Sequence, residues 1–177
     1  MNKPSPYTGS PKRIFDFNIS DFNSLAIDIF RFQYKNNGIY RQFADMLGVA
    51  PQRVEMPAQI PFLPVSFFKT HRVQSTLFEP QMIFESSGTT QTINSKHYIK
   101  DITLYTESFL KGFVQFYGDP RNWCIIGLLP SYLERQHSSL VMMVDELIRQ
   151  SEHESSGFYL NEYSRLADTI QQLEQQQ

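Results

Sequence analysis

The segment Trp123-Cys-Ile-Ile-Gly-Leu-Leu129 is continuously apolar, with no alternation between polar and apolar residues. Such a run is typical of a strand buried on both faces, as in a parallel sheet that helices cover. A helical pattern over 138–150, a strand-like Gly157–Leu160 and a helical pattern over 162–177 follow it. This βαβα order predicts an α/β fold in which 123–129 is a central parallel strand.

Helical periodicity dominates the N-terminal part of the chain. The first helical stretch has four apolar residues on one face: Phe22, Leu25, Ile29 and Phe32. Ser20 is placed to cap this helix, and a short helix is expected over 39–47. We therefore expect two parts, a mostly helical subdomain over 1–60 and an α/β part over 61–177.

Further elements are predicted between these two ends. Strands are expected at Pro64–Val73, Gln81–Glu85 and Lys96–Ile99. A helix behind Asp101, its expected N-cap, has a stripe that we expect to be core: Ile102, Tyr105, Phe109, Phe113 and Phe116.

Composition excludes several classes of protein. The 177 residues have a formal net charge of −2, so no basic excess exists to neutralise nucleic-acid phosphates. The single cysteine excludes a disulfide framework and favours a reducing, cytoplasmic location. The N-terminus has no apolar stretch of a signal peptide, and no apolar run approaches the roughly 20 residues that span a bilayer. The four histidines are too far apart in sequence to suggest a metal site.

One segment has the composition of an anion-binding loop: Phe84-Glu-Ser-Ser-Gly-Thr-Thr-Gln-Thr-Ile-Asn-Ser-Lys-His97. Gly88 can adopt a positive φ that lets successive backbone N–H groups point inward at an anion. Hydroxyls of Ser86, Ser87, Thr89 and Thr90 add donors, and Lys96 adds a positive charge. The alternative is a hydrophilic hairpin tip, because Ser, Thr and Gly are common turn residues. The Walker and dinucleotide glycine patterns are both absent.

Ser86-Ser87-Gly88-Thr89-Thr90 resembles the phosphate-binding signature of the adenylate-forming superfamily. The most similar branch is that of the acyl-protein synthetases, the fatty-acid-activating components related to the bacterial luciferase reductase complex. Ile60-Pro-Phe-Leu-Pro-Val-Ser-Phe-Phe-Lys-Thr-His71 resembles the stretch that this branch carries before the loop, and Ser95-Lys96-His97 resembles its basic-histidine ending. The resemblance covers roughly residues 25–170.

The resemblance implies ATP-dependent activation of a carboxylic acid, with Mg²⁺ as the metal cofactor. A fatty acid would become an acyl-adenylate and then pass to a protein or carrier thiol. The serines, glycine and threonines of 86–90, together with Lys96, would hold the β- and γ-phosphates. Gln91 departs from the pattern, since the family usually has glycine after the two threonines.

Other parts of the family pattern are missing. No Tyr-Gly-x-Thr-Glu segment, nucleophilic cysteine or lysine after Lys111 is present. We therefore expect the chain to be the N-terminal part of a longer enzyme, an incomplete large domain that does not form acyl-adenylate by itself. The catalytic residues stay unknown.

A second group of candidates follows the apolar strand. Ligands of open α/β sheets lie at the carboxyl ends of strands, and the resemblance implies an acyl pocket in this region. The acyl-pocket candidates are Ser131, Tyr132, Glu134 and His137. An ordinary strand–helix connection is the alternative for each of them. The rival function is a non-catalytic α/β module that binds a partner protein or an acyl group, and the oligomeric state, including a homo-oligomer, stays open.

Overall fold

The structure, a computed structural model, describes residues 12–15, 18–86, 93–130 and 136–175. The chain forms two compact units. The first unit holds the described residues of Met1–Ile83 and Gly88–Lys100, and the second holds those of Phe84–Ser87 and Asp101–Gln177. The helical subdomain expected over 1–60 lies within the first unit, which continues to Ile83 and includes the strand at 96–99.

Helices make up most of the first unit. The α-helices are α1 (Lys12–Phe15), α2 (Phe22–Asn36), α3 (Gly38–Met46) and α4 (Phe67–Thr70). Short 3₁₀ turns span Ile19–Asp21, Pro51–Arg53 and Pro57–Gln59. The side chain of Asn37 begins α3 by accepting a hydrogen bond from the Tyr40 N–H at 3.1 Å, so one of the free donors at the helix start is satisfied.

Aromatic packing between α2 and α3 forms the core of the first unit. Phe30 meets Tyr40 edge to face, with ring centroids 6.1 Å apart, and Val54 completes the buried cluster. The Tyr40 hydroxyl donates to the Pro61 carbonyl at 2.7 Å, and burial raises the pKa of Tyr40 to about 12. This bond attaches the proline-containing segment before α4 to the helical core.

Two short strands lie on either side of the serine- and threonine-rich loop. They are β1 (Met82–Glu85) and β2 (Lys96–Ile99), and they form a two-stranded sheet. Within the first unit, the Gln81 N–H donates to the Ile99 carbonyl at 2.9 Å. The strands predicted at Gln81–Glu85 and Lys96–Ile99 are therefore confirmed.

The second unit contains a βαβ arrangement followed by a helix. Its elements in chain order are α5 (Ile102–Tyr117), a 3₁₀ turn (Pro120–Asn122), β3 (Ile126–Gly127), α6 (Ser139–Ser151), β4 (Gly157–Phe158) and α7 (Tyr163–Gln175). β3 pairs in parallel with β4, so the predicted β-strand, helix, parallel β-strand order is confirmed. The predicted N-cap of α5 is also confirmed, because Asp101 accepts from the Thr103 N–H at 2.9 Å.

Two serines fasten the crossover helix to the strands. Ser151, which is 2% exposed, donates its hydroxyl proton to the Ile148 carbonyl at 2.8 Å, and its oxygen lies 2.8 Å from the Ser156 hydroxyl. The Ser156 hydroxyl in turn accepts from the Ile125 N–H at 2.9 Å. The end of α6, the entry to β4 and the entry to β3 are thus joined by side-chain hydrogen bonds, and the buried Ser151 hydroxyl has partners.

Several sequence expectations were wrong. The predicted strand over 123–129 is only two residues long, and Trp123 and Leu128 are 44% and 57% exposed. Since β3 pairs with one strand among the described residues, it lies at the edge of a two-stranded sheet rather than at the centre of a larger one. Pro64–Val73 was predicted as a strand, but it contains α4, which follows a turn closed by the Phe67 N–H donating to Pro64.

Two helix details also differ from expectation. Ser20 lies inside the 3₁₀ turn before α2 and makes no cap, because α2 begins only at Phe22. The stripe on α5 lies on one face but is not fully buried, and Phe116 is 79% exposed. Helical periodicity gives which residues share a face, but it does not give how far the neighbouring elements extend along that face.

In the described residues the fold therefore mixes helices with two small sheets, and helix predominates. Among the described helices, none combines the length and the apolar composition that crossing a bilayer requires.

Gly127 is expected to be essential for packing β3 against α6. A Cβ at this position would lie 2.9 Å from Val144 Cγ1 and 3.0 Å from Phe158 Cδ1. We expect Gly127→Ala to lower the free energy of unfolding by about 1–3 kcal/mol, as overpacking of a core does. Urea denaturation measures the difference.

Gly112→Ala is the matched control, because a Cβ there would meet nothing within 4 Å and the residue lies inside α5. Its effect should be neutral or stabilising by up to about 1 kcal/mol, the helix-propensity gain of alanine over glycine. A Gly127→Ala protein as stable as the wild type would contradict the close packing of β3 on α6.

Candidate functional site

The start and end of the candidate phosphate loop are described, and its centre is not. β1 ends at Glu85, and Ser86 follows it with an exposed side chain. Ser87, Gly88, Thr89 and Thr90 lie outside the described residues, as does Gln91. β2 begins at Lys96, which is exposed. The loop thus connects two strands, as the sequence predicts for a strand–loop–strand arrangement.

In the second unit, the first residues of the loop meet the end of the acyl-pocket candidate segment. The Glu85 N–H donates to the His137 carbonyl at 2.9 Å. Phe84, which is 4% exposed, contacts the Tyr105 ring with centroids 4.9 Å apart. This buried ring fixes the strand end beside α5, so the position of Ser86 relative to His137 is set by both a hydrogen bond and packing.

Of the four acyl-pocket candidates, the structure describes His137 alone. Ser131, Tyr132 and Glu134 lie outside the described residues. His137 is exposed, and the next residue, Ser138, caps α6 by accepting from the Val141 N–H at 3.4 Å. The candidate segment therefore ends where the positive end of a 13-residue helix begins.

In the first unit, the two other segments that carry the family resemblance pack against each other. Phe68 of α4 meets His97 of β2 edge to face, with centroids 6.1 Å apart. One residue away in α4, Phe67 stacks on His71 with centroids 5.1 Å apart. The Thr70 hydroxyl and His71 Nδ1 lie 2.8 Å apart. α4 is therefore the support on which the strand carrying Lys96 rests.

His97 follows Lys96 on β2 and packs against Phe68. Its residue surface is largely accessible, yet desolvation by the surrounding protein lowers the pKa of His97. A lower pKa favours the neutral imidazole at neutral pH, so Lys96 is the cation that this end of β2 presents near the loop.

Among the described residues, no group of three or more His, Cys, Asp or Glu side chains could hold a metal ion. A shallow open depression of about 460 Å³ runs along α5 and is lined by Ile102, Thr103, Thr106, Glu107, Leu110 and Lys111. None of the predicted site residues lines it.

Sequence reasoning missed the contribution of α4. Phe68 of α4 contacts His97, and Arg72, two residues after α4, contacts Tyr98, although the sequence predicted a strand over this segment. No local signal separated the two possibilities, because Pro64 is also tolerated at the first residue of a strand.

No family model, curated protein or solved structure matches this chain.

Desolvation of His97 has a consequence for stability. The folded-state pKa of His97 is below its unfolded value, so the unfolded chain binds the proton more tightly. Stability should therefore fall as pH decreases through 6.5 and level off below the folded pKa. We expect His97→Gln to lose less stability than the wild type between pH 7.5 and pH 5, as measured by urea denaturation. An equal loss in both proteins would show that the ring is not desolvated.

Proposed function

We propose that this chain provides the phosphate-holding part of an enzyme that uses ATP to activate a carboxylic acid. The substrate class is a fatty acid, the product an acyl-adenylate, and the acceptor a protein or carrier thiol. The observation that carries the proposal is the position of β1 and β2 on either side of the Ser86–Thr90 loop, with Lys96 exposed at the start of β2. The sequence resemblance of that loop supplies the chemistry.

The residue types at the two ends of the loop suit a polyphosphate. Ser86 supplies a hydroxyl donor at the end of β1, and Lys96 supplies an ammonium at the start of β2. Between them, Gly88 and its hydroxyl neighbours would provide backbone and side-chain donors to the phosphate oxygens. Hydrogen bonds to charged groups are stronger than those between neutral groups, so few such donors suffice for recognition.

The Glu85–His137 hydrogen bond supports a carboxylate site close to the loop. It joins the first residues of the proposed phosphate site to the segment proposed for the acyl chain. In-line attack needs the two substrates within van der Waals distance, and fixing them there supplies much of the rate enhancement in such reactions.

Mg²⁺ in this proposal is held mainly by the phosphates. The ion usually keeps several waters and binds through one or two carboxylates together with substrate phosphates. The absence of a three-residue metal cluster among the described residues is compatible with that mode. The protein donors then act on the phosphate oxygens, and the charge that develops on the leaving pyrophosphate is stabilised by Lys96 and the loop.

Pyrophosphate binding tests the proposed site directly. We expect the chain to bind magnesium pyrophosphate in isothermal titration calorimetry, and we expect Lys96→Gln to weaken that binding about tenfold, because a charge-assisted contact is lost. Gly88→Val should weaken it further by preventing the positive φ that an anion-binding loop requires.

Lys35→Gln is the control, since it removes the same charge from an exposed position of α2. It should leave the affinity nearly unchanged. Equal affinities for the wild type and Gly88→Val would refute the loop as the phosphate site. Absence of pyrophosphate binding would instead favour the rival function, a non-catalytic binding module.

The reaction itself is tested by ATP–pyrophosphate exchange that depends on a medium- or long-chain fatty acid. The assay is made on the protein encoded by the complete reading frame. Exchange that requires the fatty acid and is lost in Gly88→Val is the expected result. Exchange that is unaffected by this substitution would place the ATP site elsewhere.

A further inference from the structure

We propose that one face of β2 and the adjoining 74–78 turn form a docking surface for an acidic segment of a partner protein. The surface consists of Arg72, Gln74, Leu77, Phe78, Tyr98 and Lys100, all of the first unit. We refer to it below as the Arg72–Lys100 surface. The inference is independent of the proposed enzymatic function, because none of these residues belongs to the phosphate loop.

Two cations on this surface are held against aromatic rings. The Arg72 guanidinium carbon lies 4.8 Å from the centroid of the Tyr98 ring, and Lys100 Nζ lies 5.9 Å from that of Phe78. Arg72 and Lys100 are both exposed. Within the described part of the chain, neither forms a salt bridge with a carboxylate. Their positive charges are therefore available to an external anion.

Gln74 joins the two cation–aromatic pairs into one unit. Its side-chain oxygen accepts from Arg72 Nε at 2.8 Å, and its amide nitrogen donates to the Phe78 carbonyl at 2.7 Å. Arg72 is thereby fixed through Nε and through its stacked face, which leaves its two terminal NH₂ groups to bind a carboxylate. A side chain ordered before binding loses less entropy on binding, so this arrangement favours recognition.

The turn that carries Leu77 is anchored to α2. The Thr76 N–H donates to the Asn36 carbonyl at 2.8 Å, and the Ser75 hydroxyl donates to the Gln33 side chain. Thr76 has φ of 68°, which β-branched residues rarely adopt. In this anchored turn, Leu77 is 99% exposed. An apolar side chain is thus exposed next in sequence to Phe78, the residue that Lys100 contacts.

These features favour a protein segment over a phosphate ligand. The two cations lie on different rings, Arg72 on Tyr98 and Lys100 on Phe78, so a segment with more than one carboxylate can pair with both. Leu77 offers an apolar contact that a polyphosphate cannot use, and the chain's net charge of −2 disfavours a nucleic acid. Glu79, the acidic residue next to Phe78, would restrict how far acidic residues of the partner can extend on that side.

The test uses a short fluorescein-labelled peptide with glutamates at alternate positions around one leucine, and binding is measured by fluorescence anisotropy. We expect Arg72→Gln and Lys100→Gln each to weaken binding about two- to fivefold, the range for exposed ion pairs. Gln74→Ala, which keeps the charge, should weaken binding by releasing Arg72, and Leu77→Ala by removing the apolar contact.

Arg53→Gln is the control, because it removes the same charge from an exposed position outside this surface. Urea denaturation verifies that each variant is folded. The proposal is overturned if the peptide fails to bind at millimolar concentration, or if Arg53→Gln weakens binding as much as Arg72→Gln. It is also overturned if pyrophosphate or oligouridylate competes equally well with the peptide and Leu77→Ala has no effect, since the surface would then recognise only an anion.

Discussion

The two-residue period of β2 is the constraint on which the organisation of the first unit depends. Successive side chains of a strand point to opposite faces, so each face of β2 carries two of its four side chains. His97 and Ile99 share one face, where His97 meets Phe68 and Ile99 is 7% exposed. Lys96 and Tyr98 share the other, where Arg72 stacks on Tyr98. A shift of one residue in the register of β2 would exchange these faces and disrupt both the packing on α4 and the Arg72–Lys100 surface.

In the second unit the corresponding role belongs to the parallel pair β3 and β4 with its crossover helix. Gly127 allows β3 to approach α6 closely, and the Ser151–Ser156 pair fastens the far end of that helix. Near the N-terminus of α6, the Glu85 N–H donates to the carbonyl of His137, the residue before the Ser138 cap. This bond connects the segment before α6 to the start of the hydroxyl-rich loop. The proposed phosphate and acyl sites are therefore joined by a hydrogen bond between backbone atoms, which side-chain substitutions in either segment would not remove.

Local signals in the sequence predicted a large part of this fold, and long-range packing explains the failures. Asp101 and Lys96–Ile99 were placed correctly because caps and short bounded strands depend on neighbouring residues. Phe116 and Leu128 were expected to be buried, yet burial depends on which other elements cover them. The candidate site shows the same division. The sequence located the loop between two strands, but the contact of Phe68 with His97 joins residues 29 positions apart, and no local pattern encodes that pairing.

The most direct test of the central claim, that the loop between β1 and β2 holds phosphate, is a pyrophosphate titration of the ¹⁵N-labelled chain followed by NMR. The account predicts that the backbone amide signals of Ser86 to Lys96 shift together and saturate, with a smaller shift near His137, which is hydrogen-bonded to Glu85. Shifts confined to Arg72, Tyr98 and Lys100 would contradict it, because the anion would then be binding on the Arg72–Lys100 surface rather than in the loop. Unchanged loop amides at saturating pyrophosphate would contradict it equally.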